Sequence, residues 1–141
     1  MGKSIQDVMT SNPCAIDANQ PVSYAAKMMK DEDVGLAPIV EGDRLVGALT
    51  DRDITVRVVA EGKDPQTVKV REVASTDVIT VDPQQDLDEA LRLMAQHQVR
   101  RLPVVEEDGR LVGVLAQADV AQEAGAAETG RMVERISKDG A

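Results

Sequence analysis

The chain carries an internal repeat, and this feature constrains its fold more than any other. Residues 34–54 read VGLAPIVEGDRLVGALTDRDI, and residues 99–120 read VRRLPVVEEDGRLVGVLAQADV. With Gly109 as the one inserted residue, 11 of the 21 positions in the first segment recur identically. A period this long exceeds that of solenoid repeats, so it predicts two similar lobes packed about a pseudo-twofold axis.

Each copy has the same predicted order of elements, β-α-β-β-α, which gives a mixed α/β (α+β) fold. Helical spacing of apolar residues supports the first helix of each copy, as in Val22, Ala25, Ala26 and Met29. The predicted strands are 14–16, 36–40 and 45–50, then 78–81, 102–105 and 111–116, and the predicted helices are 22–30, 51–61, 87–96 and 117–123. Because proline cannot donate to a strand ladder, Pro38 and Pro103 are expected at strand starts or at an edge.

The repeat also predicts the domain organisation. The first copy spans residues 1–61, a polar connector spans 62–67, and the second copy spans 68–124. Residues 125–141 form a tail, in which a helix is expected over about 127–137. The apolar stripe of that helix needs a partner surface.

The composition excludes several classes of protein. The chain has 16 Lys+Arg against 25 Asp+Glu, a net charge of −9, which opposes nonspecific binding to nucleic acid. No apolar run reaches the length of a membrane span, and the first ten residues lack a signal-peptide core, so a cytoplasmic location is expected. No nucleotide-hydrolase, dinucleotide-binding or metalloprotease motif is present, so we expect neither catalysis nor a metal site. Cys14 is expected to be buried, and His97 to lie near a helix end.

Two polar residues mark the first strand–helix junction. Thr50 and Asp53 are three residues apart, as in an N-cap with an acidic third residue. The same pair also suits a nucleoside, because a carboxylate can accept hydrogen bonds from ribose hydroxyls. The second copy keeps the carboxylate as Asp119 but has Ala116 in place of the threonine, so two unequal sites are expected.

The motifs resemble the CBS domain, named for cystathionine β-synthase, and two in tandem resemble a Bateman module. The residues that carry the resemblance are LAPIV at 36–40 with GALTDRD at 47–53, and LPVV at 102–105 with GVLAQAD at 113–119. The resemblance covers residues 4–123. The size is similar to that of free-standing bacterial CBS pairs, including the hypoxic-response proteins of actinobacteria.

The resemblance implies a regulatory protein that binds AMP, ADP, ATP or another adenosyl compound in the cleft between the copies. It also implies a homodimer that signals to an unknown partner protein. The residues then expected at the ribose are Thr50, Asp53 and Asp119, those at the adenine are Ile16, Leu36, Ala37, Pro38, Val81, Leu102 and Pro103, and those at the phosphates are Arg52, Arg100 and Arg101.

Two alternatives stay open at this point. The apolar members of the proposed adenine pocket suit ordinary core strands equally well. The whole chain would also suit an interaction scaffold whose ligand sites have degenerated, since Ala116 and Gly35 lack the polar groups found in the other copy. Which copy's proline segment would face which aspartate is not determined by the sequence.

Overall fold

A computed structural model describes residues 3–123 of the chain. The fold is mixed α+β with two three-stranded sheets. In chain order the elements are α1 (Ile5–Val8), β1 (Thr10–Ser11), β2 (Ile16–Asp17), α2 (Val22–Glu32), β3 (Leu36–Glu41), β4 (Arg44–Thr50), α3 (Asp51–Ile54), a π-helix (Thr55–Val59), α4 (Val70–Val73), α5 (Leu87–His97), β5 (Arg101–Val105), β6 (Leu111–Ala116) and α6 (Gln117–Glu123).

Two compact units divide the chain, and their limits differ from those of the sequence repeats. The first unit is Cys14–Val78, and the second unit combines residues 3–13 with residues 79–123. The start of each repeat therefore packs with the body of the other repeat. Helix α1 and strand β1 belong to the second unit, whereas α4 and residues 74–78 belong to the first.

The sheet of the first unit has the strand order β2-β3-β4, so Pro38 lies in its middle strand. This position corrects the expectation of a strand start or an edge, because Pro38 is the third residue of β3. Its partner in β4 is Ala48. The Ala48 amide donates to the Ser75 carbonyl and the Ala48 carbonyl accepts from the Ser75 amide, both at 2.9 Å. On the other side, β2 pairs only from Ile39 onward. Pro38 therefore occupies a place where no ladder donor is needed.

The sheet of the second unit has the order β1-β6-β5, which makes β5 an edge strand among the named strands. Pro103 lies in β5, as expected for a proline. The strand predicted at 78–81 is reduced to a parallel bridge between Val81 and Val104. That bridge uses the Pro103 carbonyl, which accepts a hydrogen bond from the Val81 amide at 3.1 Å.

Two glycines allow the start of each repeat to approach the sheet on which it packs, which lies in the unit formed mainly by the other repeat. A Cβ at Gly47 would lie 2.8 Å from the Ser75 carbonyl oxygen, and a Cβ at Gly113 would lie 2.9 Å from the Thr10 carbonyl oxygen. The two positions correspond in the repeat. The same close backbone contact therefore explains why both copies carry glycine there.

Each unit has its own hydrophobic core. On α5 the predicted face is buried as expected, with Leu87, Ala90, Leu91 and Met94 all in the core of the second unit. On α2, Val22, Ala25 and Met29 are buried. Ala26 is exposed, so its predicted place on that face is wrong.

The structure corrects two further predictions, and a third concerns residues outside 3–123. The helix predicted over 51–61 is α3 followed by the π-helix, in which the Ala60 amide donates to the Thr55 carbonyl at 2.9 Å. Cys14 is exposed rather than buried, since β2 begins only at Ile16. The tail helix expected over 127–137 lies outside the described residues.

Candidate functional site

The strand–helix junction of the first unit is a reciprocal capping box. The Asp53 amide donates to Thr50 Oγ1 at 3.0 Å, and the Thr50 amide donates to Asp53 Oδ2 at 3.0 Å. These bonds satisfy two backbone donors that a helix start leaves without partners. The capping interpretation of this pair is therefore realised, and it fixes the carboxylate at the end of β4.

One oxygen of the Asp53 carboxylate keeps its acceptor capacity. Asp53 is 9% exposed, the one charged residue classed as buried in the described part of the chain. Its Oδ1 lies 3.9 Å from Nε of Arg57, an ion pair too long for a hydrogen bond. No residue between 3 and 123 donates a hydrogen bond to this oxygen. A carboxylate with an unused oxygen can accept a hydroxyl donor from a ligand.

The second junction repeats the backbone geometry without the box. The Gln117 amide donates to the Arg100 carbonyl at 2.7 Å, just as the Asp51 amide donates to the Gly35 carbonyl at 3.0 Å. Ala116 has no side-chain oxygen, so it cannot accept from the Asp119 amide as Thr50 accepts from the Asp53 amide. Asp119 is half-buried. The two junctions are therefore alike in backbone and unequal in side-chain chemistry.

The two junctions also differ in charge. Asp51 and Arg52 are exposed beside Asp53 in the first unit, where Gly35 and Leu36 supply no charge. The second unit has Arg100 and Arg101 at the positions of Gly35 and Leu36, with Arg100 exposed and Arg101 half-buried. The charges of Asp51, Arg52 and Asp53 sum to −1, and Arg57, one helical turn further on, brings the sum at the first junction to 0. At the second junction, Arg100, Arg101 and Asp119 sum to +1.

Four of the residues predicted to line an adenine pocket are core residues. The relative exposures are 1% for Ile16, 0% for Ala37, 2% for Val81 and 1% for Leu102. All four belong to the hydrophobic cores, so packing on a base plane is the wrong role for the Ala37 and Leu102 side chains. Alternation along a strand explains this, because residues 37 and 39 face the core while 36 and 38 point to the opposite face.

Three predicted residues lie on the sheet faces opposite the cores. Leu36 and Pro38 alternate with the core residues of β3, and Pro103 alternates with those of β5. Leu36 is half-buried, whereas both prolines are buried. These three, rather than Ala37 and Leu102, remain the candidates for contact with a base.

Sequence reasoning missed Arg57, which touches the junction from one helical turn further on. Its NH1 donates to the Val73 carbonyl at 2.9 Å, while its Nε approaches Asp53. The spacing Asp53-x-x-x-Arg57 is an i, i+4 pair of opposite charge, so the sequence carried a signal for it. The sequence carries no signal for the contact with Val73, because Val73 belongs to the start of the second repeat, which packs in the first unit.

The other polar candidates stay apart from this junction. His97 lies in the last turn of α5, as expected, and is exposed. In the described part of the chain no three His, Cys, Asp or Glu side chains form a group that could hold a metal ion. A cavity of about 240 Å³ in the first unit is lined by Ile39, Gly47 and the Glu41–Arg71 ion pair, among others, and by none of the predicted site residues.

The comparison with models of protein families identifies the family of this chain. The CBS domain model matches twice, over residues 5–60 and 70–125. The chain belongs to the CBS domain family. The resemblance of the two repeats is thereby confirmed, and CBS pairs of this kind are generally regulatory rather than catalytic.

Three relatives place the chain among known CBS pairs. It is 46% identical over 118 residues to the CBS domain-containing protein YhcV of Bacillus subtilis, covering 84% of this chain and 83% of that protein. The crystal structure of a Hypoxic Response Protein I with two coordinated zinc ions matches with a TM-score of 0.79 and 37% identity, over 87% of this chain and 100% of the other. That of CBSX2 in complex with AMP matches with a TM-score of 0.76 and 25% identity, over 87% and 96%.

Among residues 3–123, no helix combines the length and the apolar character required to cross a bilayer.

Proposed function

We propose that this protein is a regulatory module that binds an adenine nucleotide or related adenosyl compound, with Asp53 and Thr50 at the ribose. The observation that carries the proposal is the Asp53 carboxylate. It is buried and held through Oδ2, while Oδ1 accepts no hydrogen bond from residues 3–123. The AMP complex of CBSX2, a structural relative, supports the ligand class.

The phosphates of such a ligand need local positive charge, because the whole chain carries −9. Arg101 is the strongest candidate, since it is half-buried beside Pro103 and no acidic partner is found for it within the described residues. Arg52 and Arg100 are exposed and serve as further candidates. We assign Leu36, Pro38 and Pro103 to contacts with the base, and Asp119 to a second, weaker site.

The function is tested by calorimetric titration with AMP, ADP and ATP. We expect the wild type to bind at least one of them, and Asp53→Ala to weaken binding at least about tenfold through loss of a charge-assisted hydrogen bond. The matched control is Asp7→Ala, because Asp7 closes an equivalent capping box with the Ser4 amide at 3.1 Å. Absence of binding by the wild type at millimolar nucleotide would contradict the proposal.

The phosphate assignment is tested with Arg101→Gln. We expect this variant to weaken ATP binding more than adenosine binding, because only ATP presents the negative charge. Arg110→Gln is the control, since Arg110 is an exposed arginine of the β5–β6 hairpin. An equal loss for adenosine and ATP would place Arg101 away from the phosphates.

A scaffold with degenerate sites is the second candidate function. It is favoured by the capping box itself, which gives Thr50 and Asp53 a structural role without any ligand. In that case Asp53→Ala lowers the stability of the protein by about 1 kcal/mol and does nothing else. A nucleotide-dependent rise in melting temperature that Asp53→Ala abolishes would exclude the scaffold.

We also propose a cytoplasmic homodimer. Three of the four large apolar side chains that are exposed in residues 3–123 lie on α2 or on the π-helix: Tyr24 at 52%, Val56 at 45% and Val59 at 66%. Burial of these side chains against a second copy would remove apolar surface from water. Native mass spectrometry should show a dimer that Val59→Asp weakens and Val46→Asp, in β4, does not. A wild-type monomer would contradict this assembly.

A further inference from the structure

Arg57 contacts two parts of the first unit that come from different repeats. One guanidinium nitrogen donates to the Val73 carbonyl at 2.9 Å, at the end of α4. Another approaches the Asp53 carboxylate at 3.9 Å. Arginine suits this position because its planar group offers donors in several directions, whereas lysine offers a single charged centre.

These contacts close a ring around the junction. From Val73 the chain continues to Ser75, whose amide donates to the Ala48 carbonyl at 2.9 Å, with the reverse bond also at 2.9 Å. Ala48 lies two residues before Thr50, which is joined to Asp53 by the capping box. The carboxylate is thus linked on both sides to the segment contributed by the second repeat.

If its role were purely structural, Arg57 would only donate a hydrogen bond to the Val73 carbonyl at the end of α4. Two observations go beyond that role. The guanidinium faces the same carboxylate oxygen that accepts no hydrogen bond from the described residues, so a ligand there would compete with or reinforce the ion pair. The aligned position of the second repeat is Glu123, which has the opposite charge, so the arrangement belongs to the Asp53 junction alone.

We propose that Arg57 is a positioning residue that couples the Asp53 carboxylate to the Val73–Ser75 segment, so that a ligand on Asp53 changes the order of that segment. The coupling to a ligand rests on the proposed function, whereas the ring of contacts does not. The second repeat begins with this segment. Occupancy at a residue of the first repeat is thereby transmitted to the start of the second.

The contact ring is tested first without a ligand, by amide hydrogen exchange of Ser75 and Ala48 in the full chain. We expect Arg57→Gln and Asp53→Asn each to accelerate exchange about fivefold, with no further acceleration in the double variant, because both break one ring. Arg71→Gln is the control, since Arg71 anchors α4 through Glu41 instead, and its effect should add to that of Asp53→Asn. Arg57→Lys should restore part of the protection, because it keeps the charge.

The ligand is tested next, with AMP as the probe. Saturating AMP should slow exchange at Ser75 in the wild type, while Arg57→Gln should still bind AMP without this slowing. Additive effects of Arg57→Gln and Asp53→Asn, or equal slowing in Arg57→Gln, would overturn the coupling. If the wild type binds ADP or ATP but not AMP, that nucleotide serves as the probe. Absence of wild-type binding to all three would overturn the ligand function and the ligand coupling together, while a non-additive exchange result would still support the ring.

Discussion

The two oxygens of the Asp53 carboxylate have different surroundings. Its Oδ2 caps the helix start, while its Oδ1 faces Arg57 and has acceptor capacity left. The sequence indicated both roles as alternatives, since an acidic residue three places after a threonine suits either one. In the structure the cap uses Oδ2, which leaves Oδ1 for the ligand contact that we propose. Capping and ligand binding are therefore compatible in one residue.

Gly47 and Gly113 belong to the family motifs, and the structure gives both of them a packing role. Both precede the junction by the same spacing, within the segments that identified the family. In the structure their missing side chains admit the Ser75 and Thr10 carbonyls. The glycine of each motif therefore allows the start of the other repeat to pack closely against its strand.

Replacement of Gly47 by alanine should destabilise the protein by about 1–3 kcal/mol, because the added carbon would lie 2.8 Å from a backbone oxygen that cannot move away freely. Chemical denaturation of the full chain measures this. The control is Gly35→Ala, where the new carbon meets an exposed side-chain oxygen of Asp51 at 3.1 Å. Equal stability losses in the two variants would contradict the backbone-contact explanation.

At the scale of elements, α1 acts as part of the second unit although it begins the first repeat. Ile5 is completely buried in the core of the second unit. Its amide donates to the Gln85 carbonyl at 2.9 Å, and the Gln6 amide donates to the Pro83 carbonyl at 2.9 Å. The element corresponding to α1 in the other repeat, α4, is placed in the first unit in the same way.

Truncation of Ile5 to alanine should therefore destabilise the second unit by about 2–4 kcal/mol, as for other fully buried aliphatic side chains. Hydrogen exchange should show the loss of protection in α5 and β5 rather than in α2 and β3. Val46→Ala serves as the control, because Val46 is 38% exposed and lies outside the proposed dimer surface. Loss of protection confined to the first unit would contradict the assignment of α1.

The elements with strong local patterns were predicted accurately. Strand β6 has the predicted bounds, α6 begins at the predicted Gln117, and α2 and α5 extend only one or two residues further than predicted. The strands predicted at 14–16 and 78–81 differ from the structure, in which β2 is Ile16–Asp17 and the second is a single bridge at Val81. A run of three or four apolar residues fixes neither a strand nor its partner. The π-helix after α3 has no signature in the sequence that would distinguish it from an α-helix.

At the scale of the whole molecule, the compact units and the sequence repeats are different divisions of one chain. The first unit is continuous, Cys14–Val78, whereas the second joins two distant stretches. A fragment cut at the repeat boundary would lack α4 and keep α1 without its core. A fragment cut at the unit boundary would retain both partners of every contact described for the first unit.

Residues 14–78 expressed alone should therefore show a cooperative thermal transition, while residues 1–61 should not. The two fragments have nearly equal length, and domains of this size are marginal, so losing the packing of α4 is decisive. Circular dichroism melting of both fragments measures the difference. A cooperative transition in residues 1–61 would indicate that the repeat, not the compact unit, folds independently.

The sequence by itself determined that the chain consists of two copies of one α+β motif, that it belongs with CBS pairs, and that Asp53 and Asp119 occupy equivalent places. These conclusions rest on local pattern and on identity between copies, both of which are written along the chain. Only the tertiary structure decided that the start of each copy packs on the other, that Ala37 and Leu102 are core residues, and that Arg57 reaches Val73. Those contacts join residues 16 or more positions apart, so their free energy depends on packing that no local pattern encodes.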